Sequence, residues 1–120
     1  MKENILVEKS FQFAKDIISI YKVLIENKKE YIMSKQLLRS GTSIGASIRE
    51  SQFGQSKPDF INKLSISLKE ASETEYWLLL LHDASHIQTG IFEKLRRECK
   101  SLMNLLAASI ITAKANLKKP

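Results

Sequence analysis

Between Ser40 and Ser47, eight consecutive residues carry a single bulky side chain, Ile44. Yet the run Arg39-Ser-Gly-Thr-Ser-Ile-Gly-Ala-Ser-Ile-Arg-Glu50 lies in a segment whose apolar residues recur at helical spacing. Gly41 and Gly45 are four apart and share one helix face. Each glycine costs roughly 1 kcal/mol against alanine in a helix interior. Very close approach of another backbone, which only small side chains permit, is the physical compensation. A ligand loop is the competing reading. Ser40-Gly-Thr-Ser-Ile-Gly45 lacks the lysine and spacing of a phosphate-cradling loop. Membrane dimerisation also uses a Gly-x-x-x-Gly face, but Arg39 and Arg49-Glu50 are wrong flanks for lipid.

The rest of the chain divides into helical segments. Phe13, Ile17, Ile20 and Leu24 recur at spacings of three and four, with Ala14, Ile18, Tyr21 and Ile25 beside them. Leu37, Gly41, Ile44 and Ile48 share the face of a second helix, and Gly54 stands where a left-handed C-terminal residue would end it. Ser56-Lys-Pro-Asp59 opens a third: a hydroxyl at the N-cap, proline in the first turn and an acid at N3. Its stripe is Leu64, Leu68, Ala71 and Leu78, flanked by Ile61. Phe92, Leu95, Cys99, Leu102, Leu106, Ile110 and Ala113 mark the fourth, after a turn near Gly90. No strand-like alternation competes. The spacing predicts helices over about 8–27, 31–53, 57–87 and 91–117 in one domain spanning 1–120, an all-α antiparallel up-down-up-down four-helix bundle.

In such a bundle the second and third helices form a hairpin centred near Gln55. Arg39 is then level with about Ala71, and Gly45 with about Ser65. The run becomes a packing seam of Gly41, Ile44, Gly45 and Ile48. Arg39 comes within reach of Glu70 or Glu73, the alternative being that it points to water. Tyr76-Trp-Leu-Leu-Leu-Leu81 makes the third helix apolar nearly all round. Four packed helices do not bury every face of one member. Tyr76, Trp77, Leu79 and Leu80 are therefore expected at a contact with another subunit, in a ring-like homo-oligomer.

Catalytic chemistry finds no constellation. His82 and His86, spaced i, i+4, would share a helix face, but no third metal ligand accompanies them. Cys99, the one cysteine, falls in an apolar stripe, which suits a buried thiol better than a nucleophile and excludes an internal disulfide. Glu70, Glu73 and Glu75 lack the Glu-x-x-His partners of a two-metal bundle site. The expectation is a protein that is not an enzyme and takes no cofactor or metal. No apolar stretch approaches the roughly 20 residues of a membrane span, and Met1–Lys9 has no signal-peptide core, so the cytoplasm is the default location.

Charge is more informative. The chain carries net charge +6, and residues 89–120 hold seven basic groups against Glu93 and Glu98. Lys94, Arg96, Arg97 and Lys100 are the densest patch, extended by Lys114, Lys118 and Lys119. A basic face suits RNA or DNA backbone. Aromatic stacking partners are sparse there, so base-specific readout has little support.

Three stretches carry a family resemblance: Gln36-Leu-Leu-Arg-Ser-Gly-Thr-Ser-Ile-Gly-Ala-Ser-Ile-Arg-Glu50, Asp59-Phe-Ile-Asn-Lys-Leu64 and Lys69-Glu-Ala-Ser-Glu-Thr-Glu-Tyr-Trp-Leu78. Together with Glu8-Lys-Ser-Phe-Gln-Phe-Ala14 they resemble the bacterial four helix bundle protein family, also called the intervening-sequence protein family. That family takes its name from reading frames inserted in large-subunit ribosomal RNA genes. One branch resembles the accessory variability determinant of diversity-generating retroelements, a basic pentameric barrel that associates with nucleic acid and a reverse transcriptase. The resemblance implies a homo-oligomer, a pentamer by that analogy. The expected function is a non-catalytic adaptor that binds RNA or DNA backbone through basic groups repeated around the ring, and the resemblance adds a reverse transcriptase as partner if the chain is of the retroelement branch. A protein-interaction scaffold without nucleic-acid contact is the alternative.

Overall fold

The protein is described by a computed structural model over residues 2–118. Its helices are α1 (Lys2–Glu26), α2 (Met33–Ser51), α3 (Lys57–Asp83) and α4 (Thr89–Leu117). Each packs on the next in sequence, and α4 also meets α1. The assembly is 55 × 21 × 20 Å. Along its axis runs one core, built from Leu6, Phe13, Ile17, Leu24, Leu37, Ile44, Leu64, Leu78, Leu102 and Leu106, among others. Burying each such side chain stabilises the fold by about 1.5–3 kcal/mol.

The helix ends show where local chemistry outranks periodicity. α3 begins as its sequence dictates: the Ser56 hydroxyl accepts from the Asp59 amide at 3.2 Å, with proline in the first turn. The Asp59 carboxylate in turn accepts from the Gln55 amide at 3.3 Å. α2 begins at Met33 rather than Tyr31 because the Glu30 carboxylate caps it, accepting from the amides of Ile32, Met33 and Ser34 at 3.3, 3.1 and 2.7 Å. Partial burial works to raise the Glu30 pKa. The three amide hydrogen bonds outweigh it, and the carboxyl is held below its ordinary value.

Three expectations need correction. Gly54 is not left-handed; no described glycine has positive φ. A Cβ there would meet the Ser51 carbonyl at 3.2 Å and the Phe60 amide nitrogen at 3.3 Å, so Gly54 serves a tight α2–α3 turn by its size. Second, α3 stops at Asp83 rather than residue 87, and α4 starts at Thr89, which puts Gly90 inside its first turn. The stop is a Schellman motif: Ser85 sits at φ 65°, its amide donates to the His82 carbonyl, and the His86 amide donates to that of Leu81, both at 2.9 Å. Third, α1 begins at Lys2 rather than residue 8, which brings Leu6 into the core.

The small-residue run stays within α2, but its glycines face α1 rather than α3. A Cβ at Gly41 would lie 2.9 Å from both γ carbons of Ile17, a stiff β-branched side chain with no room to turn aside. A Cβ at Gly45 would lie 3.3 Å from the Ser10 hydroxyl, a much milder contact. The α2–α3 contact is made by other members of the run and its neighbours. Ser67 donates to the Ile44 carbonyl at 2.8 Å, and the Ser40 and Thr74 hydroxyls pair at 2.9 Å, all buried.

Two substitutions test this reading. Gly41→Leu forces overpacking against Ile17 and should lower stability by about 3 kcal/mol or more, whereas Gly45→Ala should stay within about 1 kcal/mol of the parent because helix propensity offsets the contact; equal losses by denaturant titration would refute the asymmetry. Ser85→Gly relieves a left-handed serine and should raise stability by up to about 1 kcal/mol; an unchanged or lower thermal midpoint would count against it.

Candidate nucleic-acid interface and apolar surfaces

Helix α4 buries Phe92, Leu95, Cys99, Leu102, Leu106 and Ile110 on one side, which turns its remaining residues outward. Lys94, Arg96, Arg97 and Lys100 are all exposed. Arg96, Arg97 and Lys100 border an open depression of about 650 Å3 with Glu93, Ser101 and Asn104. The four cations do not act as one patch. On the flank next to α3, the Glu75 carboxylate, whose side chain is only 14 % exposed, takes Arg96 and Lys100 together at 3.2 Å each. On the opposite flank Lys94 and Arg97 lie near enough to Glu98 to act on its charge. Each cation therefore already faces an acid. Lys114 and Lys118 continue along α4 beyond this cluster, and Lys119 lies outside the described residues.

Arg39, half exposed on α2, is held by two acids of α3. Its guanidinium reaches Glu70 at 3.3 Å and forms a close ion pair with Glu73. The Trp77 indole also donates to Glu73, at 3.1 Å. This cluster joins α2 to α3 at the level that a hairpin turning near Gln55 requires. Exposed pairs of this kind contribute little individually, and a network of them somewhat more.

The residues weighed for chemistry lie apart. His86 falls beyond the end of α3, so it does not share a helix face with His82. The His82 ring stacks on Phe92 with centroids 4.1 Å apart, and its Nε2 pairs with the Thr89 hydroxyl at 3.1 Å. Cys99 is buried and donates to the Ala71 carbonyl at 3.2 Å. Burial, and then the negative charge of Glu75, push its thiol pKa up to about 12, so it stays protonated at neutral pH and makes a poor nucleophile. Among the described residues no three His, Cys, Asp or Glu side chains converge as metal ligands. Nor is any described helix long and apolar enough to cross a membrane.

Two apolar surfaces remain. On α3, Tyr76 is 55 % and Leu79 39 % exposed, while Trp77 and Leu80 are half-buried. The other was not read from the sequence. Phe11, Ala14 and Ile18 of α1 and Thr42, Gly45 and Ala46 of α2 line a groove of about 550 Å3, with Glu8 and Arg49 at its rim. Phe11 is 65 % exposed there. The signal was present in the second apolar row of α1, but that row reads equally well as the edge of the core stripe.

The profile of the family described as 23S rRNA-intervening sequence protein matches residues 2–108. A crystal structure of a protein of unknown function from the S23 ribosomal protein family of Bacteroides thetaiotaomicron superposes with a TM-score of 0.90 at 50 % sequence identity, covering 92 % of this chain and 98 % of that one. No curated protein matches. With nine-tenths of its length inside the family profile and the same four-helix fold as that relative, the chain belongs to the 23S rRNA-intervening sequence protein family.

Proposed function

We propose that the protein is a non-catalytic adaptor, an up-down-up-down bundle assembled into a ring-like homo-oligomer that meets RNA backbone through the outward side of α4. The observation that supports this most is the pair Arg97 and Lys100, exposed on α4 and bordering an open depression with hydrogen-bonding Ser101 and Asn104. The family's description ties its members to an intervening sequence of 23S rRNA, which makes RNA the polyanion to try first. Glu75 and Glu98 oppose the same cations, so one protomer would bind weakly. Repetition around a ring, as a pentamer for instance, would supply avidity without any strong single site. The test is binding to a structured RNA across a salt series. Affinity should fall as salt rises, and Arg97→Ala should weaken binding and flatten the slope of log K against log salt by roughly 0.7–0.9 for each phosphate no longer neutralised. No binding at low salt, or binding indifferent to salt, would overturn the proposal.

A second reading, a protein-interaction scaffold without nucleic-acid contact, is favoured by the two apolar surfaces. Both readings require self-association through Tyr76, Trp77, Leu79 and Leu80. Mass measurement in solution should find an oligomer, and Tyr76→Glu with Leu79→Glu should break it into monomers that keep their helicity. A stable wild-type monomer would refute the assembly. An oligomer that fails to bind RNA would select the scaffold.

A further inference from the structure

The outward row of α4 carries more than positive charge. Glu93, Arg97, Lys100 and Asn104 follow one another at spacings of four, three and four, so they share a helix face over roughly 16 Å. All four are exposed, and all four border the depression of about 650 Å3, beside half-buried Ser101 and Leu105. No aromatic side chain lines this depression, so it offers no platform on which a base could stack. The part of a nucleic acid that such a surface can engage is the sugar–phosphate chain. Among the described residues the side-chain hydrogen bonds of α4 are those of Thr89, Arg96 and Cys99, and its ion pairs are those of Arg96 and Lys100. Glu93, Ser101 and Asn104 take part in none. The depression therefore presents two kinds of polar group side by side. Arg97 and Lys100 donate, whereas the Glu93 carboxylate, the Asn104 side-chain carbonyl and the Ser101 hydroxyl are uncommitted acceptors.

Phosphate, ester and sugar-ring oxygens all accept hydrogen bonds. A DNA backbone thus offers acceptors alone, which suit Arg97 and Lys100 but oppose the oxygens of Glu93 and Asn104. The ribose 2′-hydroxyl is the one donor that the backbone of RNA adds, and it accepts as well. An amide answers both capacities: the Asn104 Oδ1 can accept from the hydroxyl while its Nδ2 donates. Lys100 precedes Asn104 by about one helical turn, roughly 6 Å, so a phosphate held by the one leaves an adjoining ribose beside the other. We propose that the depression selects RNA over DNA through the 2′-hydroxyl, with Asn104 as the specificity-determining residue and Arg97 and Lys100 as the phosphate contacts. This rests on the reading of the outward side of α4 as an RNA-backbone surface. It adds what cations do not supply, because contacts to phosphate carry no means of telling the two backbones apart. Glu93, about one turn before Arg97, repels phosphate from its end of the row and so shifts the backbone toward Lys100 and Asn104.

The test is binding of the intact chain, at one low salt concentration, to a hairpin of one sequence made in three forms: RNA, DNA and 2′-O-methyl RNA. The last keeps the ribose oxygen but has lost its proton. RNA should bind more tightly than either analogue by roughly two- to tenfold, the range that one net hydrogen bond confers. Asn104→Ala, at an exposed position, should bring RNA down to the level of DNA and leave DNA binding unchanged. Arg97→Ala should weaken all three by a similar factor. Salt-dependent binding of equal strength to the three hairpins would overturn the selection while leaving the backbone reading in place. An RNA preference undiminished in Asn104→Ala would overturn the role of Asn104. Binding to none of the three would remove the selection and the backbone reading together.

Discussion

The contact between Gly41 and Ile17 sets the geometry of the rest. With no Cβ on α2 at that point, Ile17 of α1 is fully enclosed, and the two helices lie close enough for Ser10 to reach Gly45. The same closeness has an outer consequence. Helices this near each other cannot bury the second apolar row of α1, so Phe11 and Ile18 stand over Thr42, Gly45 and Ala46 as the walls of a groove. The close interior and the apolar exterior are two sides of one packing decision. The small-residue run serves both: Ser40, Gly41 and Ile44 turn inward while Gly45 and Ala46 border the groove.

Acids arrange the basic surface. Glu75 takes two cations of α4, Glu70 and Glu73 take Arg39, and Glu50 meets Lys63 at 3.3 Å. A net charge of +6 therefore overstates the field that an approaching polyanion would meet near Arg96 and Lys100. Charge counted along the sequence and charge presented at the surface are different quantities here. They differ because α3, the helix with net negative charge, packs against the basic α4.

Helix count, the approximate helix bounds and most core residues could be read from the chain, because a 3–4 apolar rhythm reports directly which side of a helix is buried. The Ser56 cap was legible because it is made within four residues. The level of Arg39 with Glu70 and Glu73 followed from counting outward from one turn. What failed was information that a single helix does not contain. Periodicity showed that Gly41 faces a neighbour but not that the neighbour is α1. The end of α3 depends on Ser85 adopting a conformation usually reserved for glycine, so no residue type announced it.

The hydroxyls buried between α2 and α3 add little adhesion, since a satisfied hydrogen bond is worth only about 1 kcal/mol net. Their effect lies in what they forbid. Ser67 finds the Ile44 carbonyl, and Ser40 finds Thr74, in a single axial alignment. Sliding α3 by one turn, about 5.4 Å, would still bring leucine against isoleucine, but it would part Ser67 from the Ile44 carbonyl and Ser40 from Thr74 in an apolar interior. An interface of aliphatic side chains alone would tolerate several alignments of similar energy. This one penalises all but one, so the pairs that join Arg39 to α3 and Glu75 to α4 are presented at fixed heights.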